Sequence, residues 1–234
     1  MTGSVKRSKK PDSAPDEDSA RAPAGRRATR AEQARATRRR IIAAATEQFI
    51  AHGYGATLLD QVAEQAGVAV QTVYFHFGNK RTLLKQALDV AAVGDDEPIP
   101  LLERPWLRQI QQETDPRRII QLWLATSRTI LERVAPLMRV VRGATGTDAE
   151  LAAQWDTNQH QTRTAHARLA QLLANRGALK PGIDTDQARD IAFVIANVET
   201  YLQFSDVCGW TLDQWQERTG AILTAALLPP DRHP

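Results

Sequence analysis

An all-α fold is the class this sequence predicts, and three observations predict it. Apolar residues recur at spacings of three and four from about residue 31 almost to the end. No alternating stretch long enough for a strand interrupts them, and the periodic segments are bounded by Gly, Pro and capping residues. With 234 residues, 42% hydrophobic and 24% charged, the chain has the composition of a globular protein and enough length for a sizeable core. One cysteine, Cys208, excludes an intrachain disulfide framework and a zinc site built on several thiolates; no metal or other cofactor is expected. That thiol reads either as a redox sensor or as inert packing beside Gly209-Trp210. No run of about 18 residues is apolar enough to span a membrane, and the polar N-terminus lacks the apolar centre of a secretory signal. A cytoplasmic protein is the expectation.

The elements follow in order. Residues 1–28, with Pro11, Pro15, Pro23 and charges of both signs, have the composition of a disordered arm. Ile41, Ala45 and Phe49 form the apolar face of a first helix that His52-Gly53 closes. Thr57 can cap a second, whose inner face is Leu59, Val62, Ala63 and Ala66, and Gly67 stops it. A short third helix runs from about Val70 to Phe77. Gly78-Asn79 ends it and caps a fourth, with Leu84, Ala87, Leu88 and Ala91 inward. Asp95 to Pro100 is a linker. Beyond it, Asp115-Pro116 opens a helix to about Arg133, and Pro136 opens a shorter one. Asp148 caps a long helix reaching about Asn175. Asp184 with Gln187, and Thr211 with Gln214, are capping boxes before helices 186–204 and 212–228.

Charge is uneven. Residues 1–40 carry 12 Lys/Arg against 5 Asp/Glu, whereas the whole chain nets only +3. A basic head on a mildly acidic body points to a polyanion at one end. Its clusters, Lys6-Arg7, Lys9-Lys10 and Arg26-Arg27, read equally as an arm along phosphates or as a solubilising tail.

Residues 58–77 carry the strongest chemical signal. Ala63, Gly67 and Val73 stand in the spacing A-x3-G-x5-V. A small residue lets two helices cross closely, glycine supplies the positive φ of a sharp turn, and the apolar residue locks the second helix on the first. This is a helix-turn-helix, whose second helix projects its first turn into a major groove. Val70, Gln71 and Thr72 occupy that turn. The Gln71 amide can bond adenine bidentately, and the methyls of Val70 or Thr72 can meet a thymine methyl.

The run Gly67-Val68-Ala69-Val70-Gln71-Thr72-Val73-Tyr74-Phe75-His76-Phe77-Gly78-Asn79-Lys80, followed by Leu83-Leu84, resembles the signature of the TetR (tetracycline repressor) family. Gly53-Tyr54 and Ala56-Thr57 match its first corner. The resemblance covers about residues 33–92. It implies a homodimeric regulator, in most members a repressor, that binds a palindromic operator in double-stranded DNA and is released by a small molecule held in the C-terminal domain. It also implies that Tyr74 and His76 donate to phosphate oxygens and that Lys80 binds phosphate at the start of the fourth helix. Thr57 could add a hydroxyl there. Ala69, Leu58 and Asp60 depart from the family pattern. Three units are thus expected: a basic arm over 1–30, a helix-turn-helix domain over 31–95, and a ligand-binding and dimerisation domain over 96–234.

In that last unit the helix 148–175 has an apolar face from Leu151 and Trp155 through Leu169, Leu172 and Leu173, interrupted by Asn158, Gln159, Thr162 and His166. Such a window is either the orienting part of a ligand pocket or a solvated stretch. Trp123, Phe193 and Tyr201 are candidate neighbours. Ile191, Ile195, Val198 and Leu202, with Trp215, Ile222 and Leu223 on the last helix, are candidates for a dimer interface, because apolar residues on several faces need two burying partners. No H-E-x-x-H, G-x-S-x-G or phosphate-binding glycine loop supports an enzyme. A ligand-independent DNA-binding protein is the alternative, set against the length of chain beyond residue 95.

Overall fold

The computed structural model describes residues 29–95 and 99–230, and within them the chain is all helical. The basic clusters of the expected arm lie outside the described residues. The first helix, α1 (Arg30–Ala56), opens on a capping box between Thr29 and Glu32 and turns sharply at Gly53 (φ 76°). Then come α2 (Leu59–Ala66), α3 (Val70–Phe77) and α4 (Lys80–Val93). Ile41, Ala45 and Phe49 of α1, Val62 and Ala63 of α2, Val73 and Phe77 of α3, and Leu83, Leu84 and Ala87 of α4 close on one another as a small core.

The larger part consists of α5 (Pro105–Gln112), α6 (Pro116–Ala144), α7 (Ala149–Asn175), α8 (Thr185–Ala196), α9 (Val198–Asp206) and α10 (Leu212–Leu227). Central to it is α6, which packs against α7 and α10 of this part and against α1 and α4 of the smaller one. Arg133 of α6 donates to the carbonyls of Ala91 (2.8 Å) and Ala92 (3.4 Å), so a cation from the body covers the C-terminal end of α4.

Several sequence expectations are corrected. Pro136 does not open a helix: it lies inside α6. Proline costs a backbone bond, but Val134, Ala135, Leu137 and Met138 are all buried around it, and that packing keeps the helix continuous. The expected helix 186–204 is two helices. Asn197 takes extended backbone between α8 and α9, accepts from the Thr200 N–H (2.8 Å), and so caps the second. The whole of α5 goes unforeseen. Thr57 does not cap α2, whose N-cap is Leu58: it stands at the C-cap of α1, fully buried, with its hydroxyl donating to the Gly53 carbonyl at 2.7 Å. Cys208 is exposed rather than packed. Val198, Leu202, Trp215 and Leu223, expected at an interface between subunits, are buried in the protomer's own core. Periodicity reveals that a face is covered, not by which chain.

Candidate nucleic-acid interface and cavity

The turn between α2 and α3 is set by backbone bonds. Gly67 adopts φ 65°, its N–H reaches Glu64 O (3.0 Å), and the Val68 N–H reaches Ala63 O (3.0 Å), which is the Schellman closure. With the turn fixed, Val73 and Phe77 face the small core, so the helical period directs Gln71, Tyr74 and Phe75 outward. Tyr74 is 53% exposed and Phe75 85%. His76 is half-buried, edge-on to Phe75 with ring centroids 5.4 Å apart, and Val70 and Thr72 are half-buried at the first turn. Sequence reasoning passed over Phe75. The signal was available, since a residue two past Val73 lies on the far side of the helix from it.

Neither α2 nor α3 has a side-chain cap: Leu58 and Ala69 occupy the N-cap positions. N–H groups at these two helix starts are therefore left for other acceptors. Lys80 is spent mainly inward. Its ammonium donates to Thr57 O (2.9 Å) and Gly55 O (3.2 Å) and lies 4.6 Å from the Tyr54 ring centre, tying the α1–α2 corner to the start of α4. Partial burial pushes its pKa below the ordinary lysine value. On α1, Arg38 is held against the Gln86 amide and over the Phe77 ring, and exposed Arg35 and Arg40 add positive charge to this end.

A partly open cavity of about 160 Å³ lies among α4, α5, α6 and α7, with Leu101, Leu102, Ala196 and Val198 also lining it. Four of the expected ligand residues line it: Trp123, Asn158, Thr162 and His166. Trp155, Gln159, Phe193 and Tyr201 do not; Tyr201 packs edge-on to Trp215 at 5.8 Å. Trp106, on the unforeseen α5, stacks edge-on to Trp123 at 5.7 Å and lines the cavity. Among the described residues its lining contains no Asp, Glu, Lys or Arg.

His166 is 3% exposed, and its Nδ1–H donates to Thr162 O at 2.9 Å. Burial pushes the imidazole pKa below its ordinary value and holds the ring neutral, so Nε2 is a bare acceptor. Neither that nitrogen nor the indole N–H of Trp123 has a partner among the described residues. An unpaired buried polar group costs about 1–3 kcal/mol, and the two rings stand 6.0 Å apart. Head and body are joined across Arg81, at the start of α4, which pairs with Asp148 (2.9 Å) and Glu150 (3.1 Å) at the start of α7. The Arg81 guanidinium holds the Asp148 carboxyl below its usual range.

Among the described residues no helix is long and apolar enough to cross a membrane, and no cluster of His, Cys, Asp or Glu is placed to hold a metal ion.

Comparison with known proteins bears on both regions. Residues 41–87, from mid-α1 into α4, match the model of bacterial regulatory proteins, tetR family. Over 58 residues, 25% of this chain, the sequence is 48% identical to the uncharacterized HTH-type transcriptional regulator TtgW of Pseudomonas putida, and the match spans 43% of that protein's length. The whole fold is similar to that of NalD, the secondary repressor of the MexAB-OprM multidrug efflux pump in Pseudomonas aeruginosa. That likeness has a TM-score of 0.61 at 21% identity, over 83% of this chain and 98% of NalD. It is also similar to the fatty acid degradation regulator FadR from Bacillus halodurans, with a TM-score of 0.62 at 21% identity over 85% of this chain and 97% of that one.

Proposed function

We propose, on the premise that this chain carries the DNA-binding domain of the TetR-family transcriptional regulators, that it is a homodimeric repressor released from a palindromic operator by a small molecule. One observation carries the reading: α3 offers Gln71, Tyr74 and Phe75 to solvent from a rigid, glycine-closed turn, beside two helix N-termini without side-chain caps. In a major groove Gln71 reads a base edge and Val70 or Thr72 meets a thymine methyl. Tyr74 and His76 donate to phosphates, and Phe75 adds apolar contact. Lys80 acts chiefly by holding the α1–α2 corner, and Thr57 supports that corner from inside.

A second copy would dock on the surface that α8 and α10 leave uncovered. Ile191 and Ile195 are half-buried, Val194 is 60% exposed and Ile222 42%. Two-fold symmetry then sets two α3 helices about one DNA turn, 34 Å, or a multiple of it apart. The domain division is residues 31–95 for DNA and 96–234 for ligand and dimer, with the basic arm before them. The cavity is the effector site, and the protein acts in the cytoplasm without catalysing a reaction. Gating is a population shift. Ligand in the cavity favours an arrangement of α4 and α7 that changes the spacing of the recognition helices, with Arg81 and Arg133 as the ties between head and body.

Selection of random duplex DNA by the full-length protein at two salt concentrations tests this. Enrichment of an inverted repeat at both salts is the expected result. Unpatterned DNA that washes off at higher salt would reduce the function to phosphate binding.

A further inference from the structure

We propose that the cavity takes a neutral, single-ring compound bearing a hydroxyl group, whose O–H donates to His166 Nε2 and whose oxygen accepts from the Trp123 indole N–H. The proposal rests on reading the cavity as the effector site and adds the chemistry of its occupant. Three features of the wall define that chemistry.

Size comes first. The cavity measures about 160 Å³, and an apolar cavity of about 150 Å³ is filled by one benzene ring. Charge comes second. With no Asp, Glu, Lys or Arg among the described lining residues, and the imidazole of His166 neutral, a carboxylate or ammonium would enter with no charged partner to offset its lost hydration. Hydrogen-bond polarity is the third. Because a backbone carbonyl can only accept, the bond from His166 to Thr162 O fixes the proton on Nδ1 and leaves Nε2 as an acceptor. Trp123 Nε1 is a donor only, and it too is unpartnered. Thr126 and Ser127, also in the lining, spend their hydroxyl protons on Leu122 O (3.1 Å) and Trp123 O (3.0 Å), so they add acceptor capacity and no donor. The lining atoms that are fully buried and unpaired among the described residues are thus one acceptor and one donor, on rings whose centroids lie 6.0 Å apart, and a single hydroxyl, which gives one hydrogen bond and takes one, meets both. A ketone or ether would serve Trp123 and leave His166 unmet.

Calorimetric titration of the full-length protein with phenol, toluene and benzoate at neutral pH tests the match. Phenol is expected to bind at least about tenfold more tightly than toluene, with benzoate weakest. In Trp123→Phe and His166→Phe the preference should fall towards unity while toluene still binds, which shows that the cavity survives the substitution. Equal binding of phenol and toluene by the native protein, or binding of neither, overturns the proposal. Titrations repeated with the selected DNA separate it from the effector reading. Phenol preference without any change in DNA affinity upholds the ligand chemistry and removes the gating; release of DNA by toluene and phenol alike does the reverse.

Discussion

In the larger helical part, α6, α7, α8, α9 and α10 each begin at a residue whose side chain accepts a backbone N–H: Asp115, Asp148, Asp184, Asn197 and Thr211. In the head, α1 and α4 are likewise capped, by Thr29 and Asn79, but α2 and α3 begin at Leu58 and Ala69, whose side chains have nothing to accept with. The same division runs through the side chains. Tyr74 and Phe75 are turned out to solvent, while Trp123 and His166 are shut away with their polar atoms unmet. The body caps its helix starts except that of α5, which begins at Arg104, and keeps its unspent groups inside, where a small molecule reaches them. The α2–α3 pair of the head leaves both its helix starts and its side chains open, where an extended polyanion reaches them. Substitutions that break this division should differ in kind as well as in size.

The largest effect is expected at Trp215, which has no exposed surface and packs against Tyr201. Trp215→Ala should cost about 3–5 kcal/mol, by lost burial and the cavity left behind. Thermal unfolding at several protein concentrations checks it. A loss present at every concentration places Trp215 in the protomer core, whereas a loss that vanishes at high concentration would return it to a subunit interface.

Next come Gln71 and Thr57, both expected from sequence to touch DNA and found in opposite surroundings. Gln71→Ala should lose about 1–3 kcal/mol of discrimination at one base pair per half-site, leaving non-specific affinity and stability unchanged. Thr57→Val should lose about 1 kcal/mol of stability, because the hydroxyl bond to Gly53 O disappears, with little effect on phosphate binding. Equal losses of specific and non-specific binding in Gln71→Ala would make it a backbone contact instead.

Those two residues also mark what was legible in the sequence. Signals contained within four or five residues read correctly. Gly67 as a turn, Asn79 as a cap and the boxes Asp184–Gln187 and Thr211–Gln214 all stand where the spacing put them. Errors arose where a distant contact outvoted a local signal. Thr57 has the residue type of a cap, but the turn at Gly53 presents carbonyls that claim its proton. Pro136 has the character of a helix start, yet buried neighbours carry the helix through it. Asn197 sits in an unbroken apolar pattern, and only its side-chain bond to the Thr200 N–H divides α8 from α9. Of the cavity, the α7 window was readable because it interrupts an apolar stripe. Trp106 was not, because eight residues between a linker and Asp115 carry too little periodicity to declare a helix.

A smaller effect follows from the enclosed imidazole. The ordinary His166 pKa of 6.5 is lowered in the folded protein, mainly by burial. Below about that pH the unfolded chain binds a proton that the folded chain refuses. Stability is thus fully present above pH 6.5 and falls as the pH drops beneath it, by no more than about 1.4 kcal/mol per pH unit. Urea unfolding of the native protein and His166→Gln at pH 7.5 and 5.5, probe conditions on the order of one unit either side, should show a shallower decline in the variant. Parallel declines would assign the acid sensitivity to carboxylates such as Asp148, whose pairing with Arg81 also fails as pH falls, though in a more acidic range.

The smallest change tests the head's uncapped ends directly. Ala69 already has the extended backbone of an N-cap (φ −71°, ψ 146°), and its carbonyl accepts from the Thr72 N–H at 2.9 Å. Ala69→Ser adds an oxygen to a position whose geometry is prepared for it. Because one of the first N–H groups is already paired, the gain should fall near the low end for such caps, about 0.5 kcal/mol. The new oxygen competes first for the Thr72 N–H and leaves those of Val70 and Gln71 facing outward, so DNA affinity and its salt dependence should be unchanged. A gain in stability with unaltered DNA binding would locate the useful donors in the first two residues of α3. Weakened binding would mean that the serine has captured the Gln71 N–H, and that α3 begins at an alanine because a cap there would take a donor away from the phosphate.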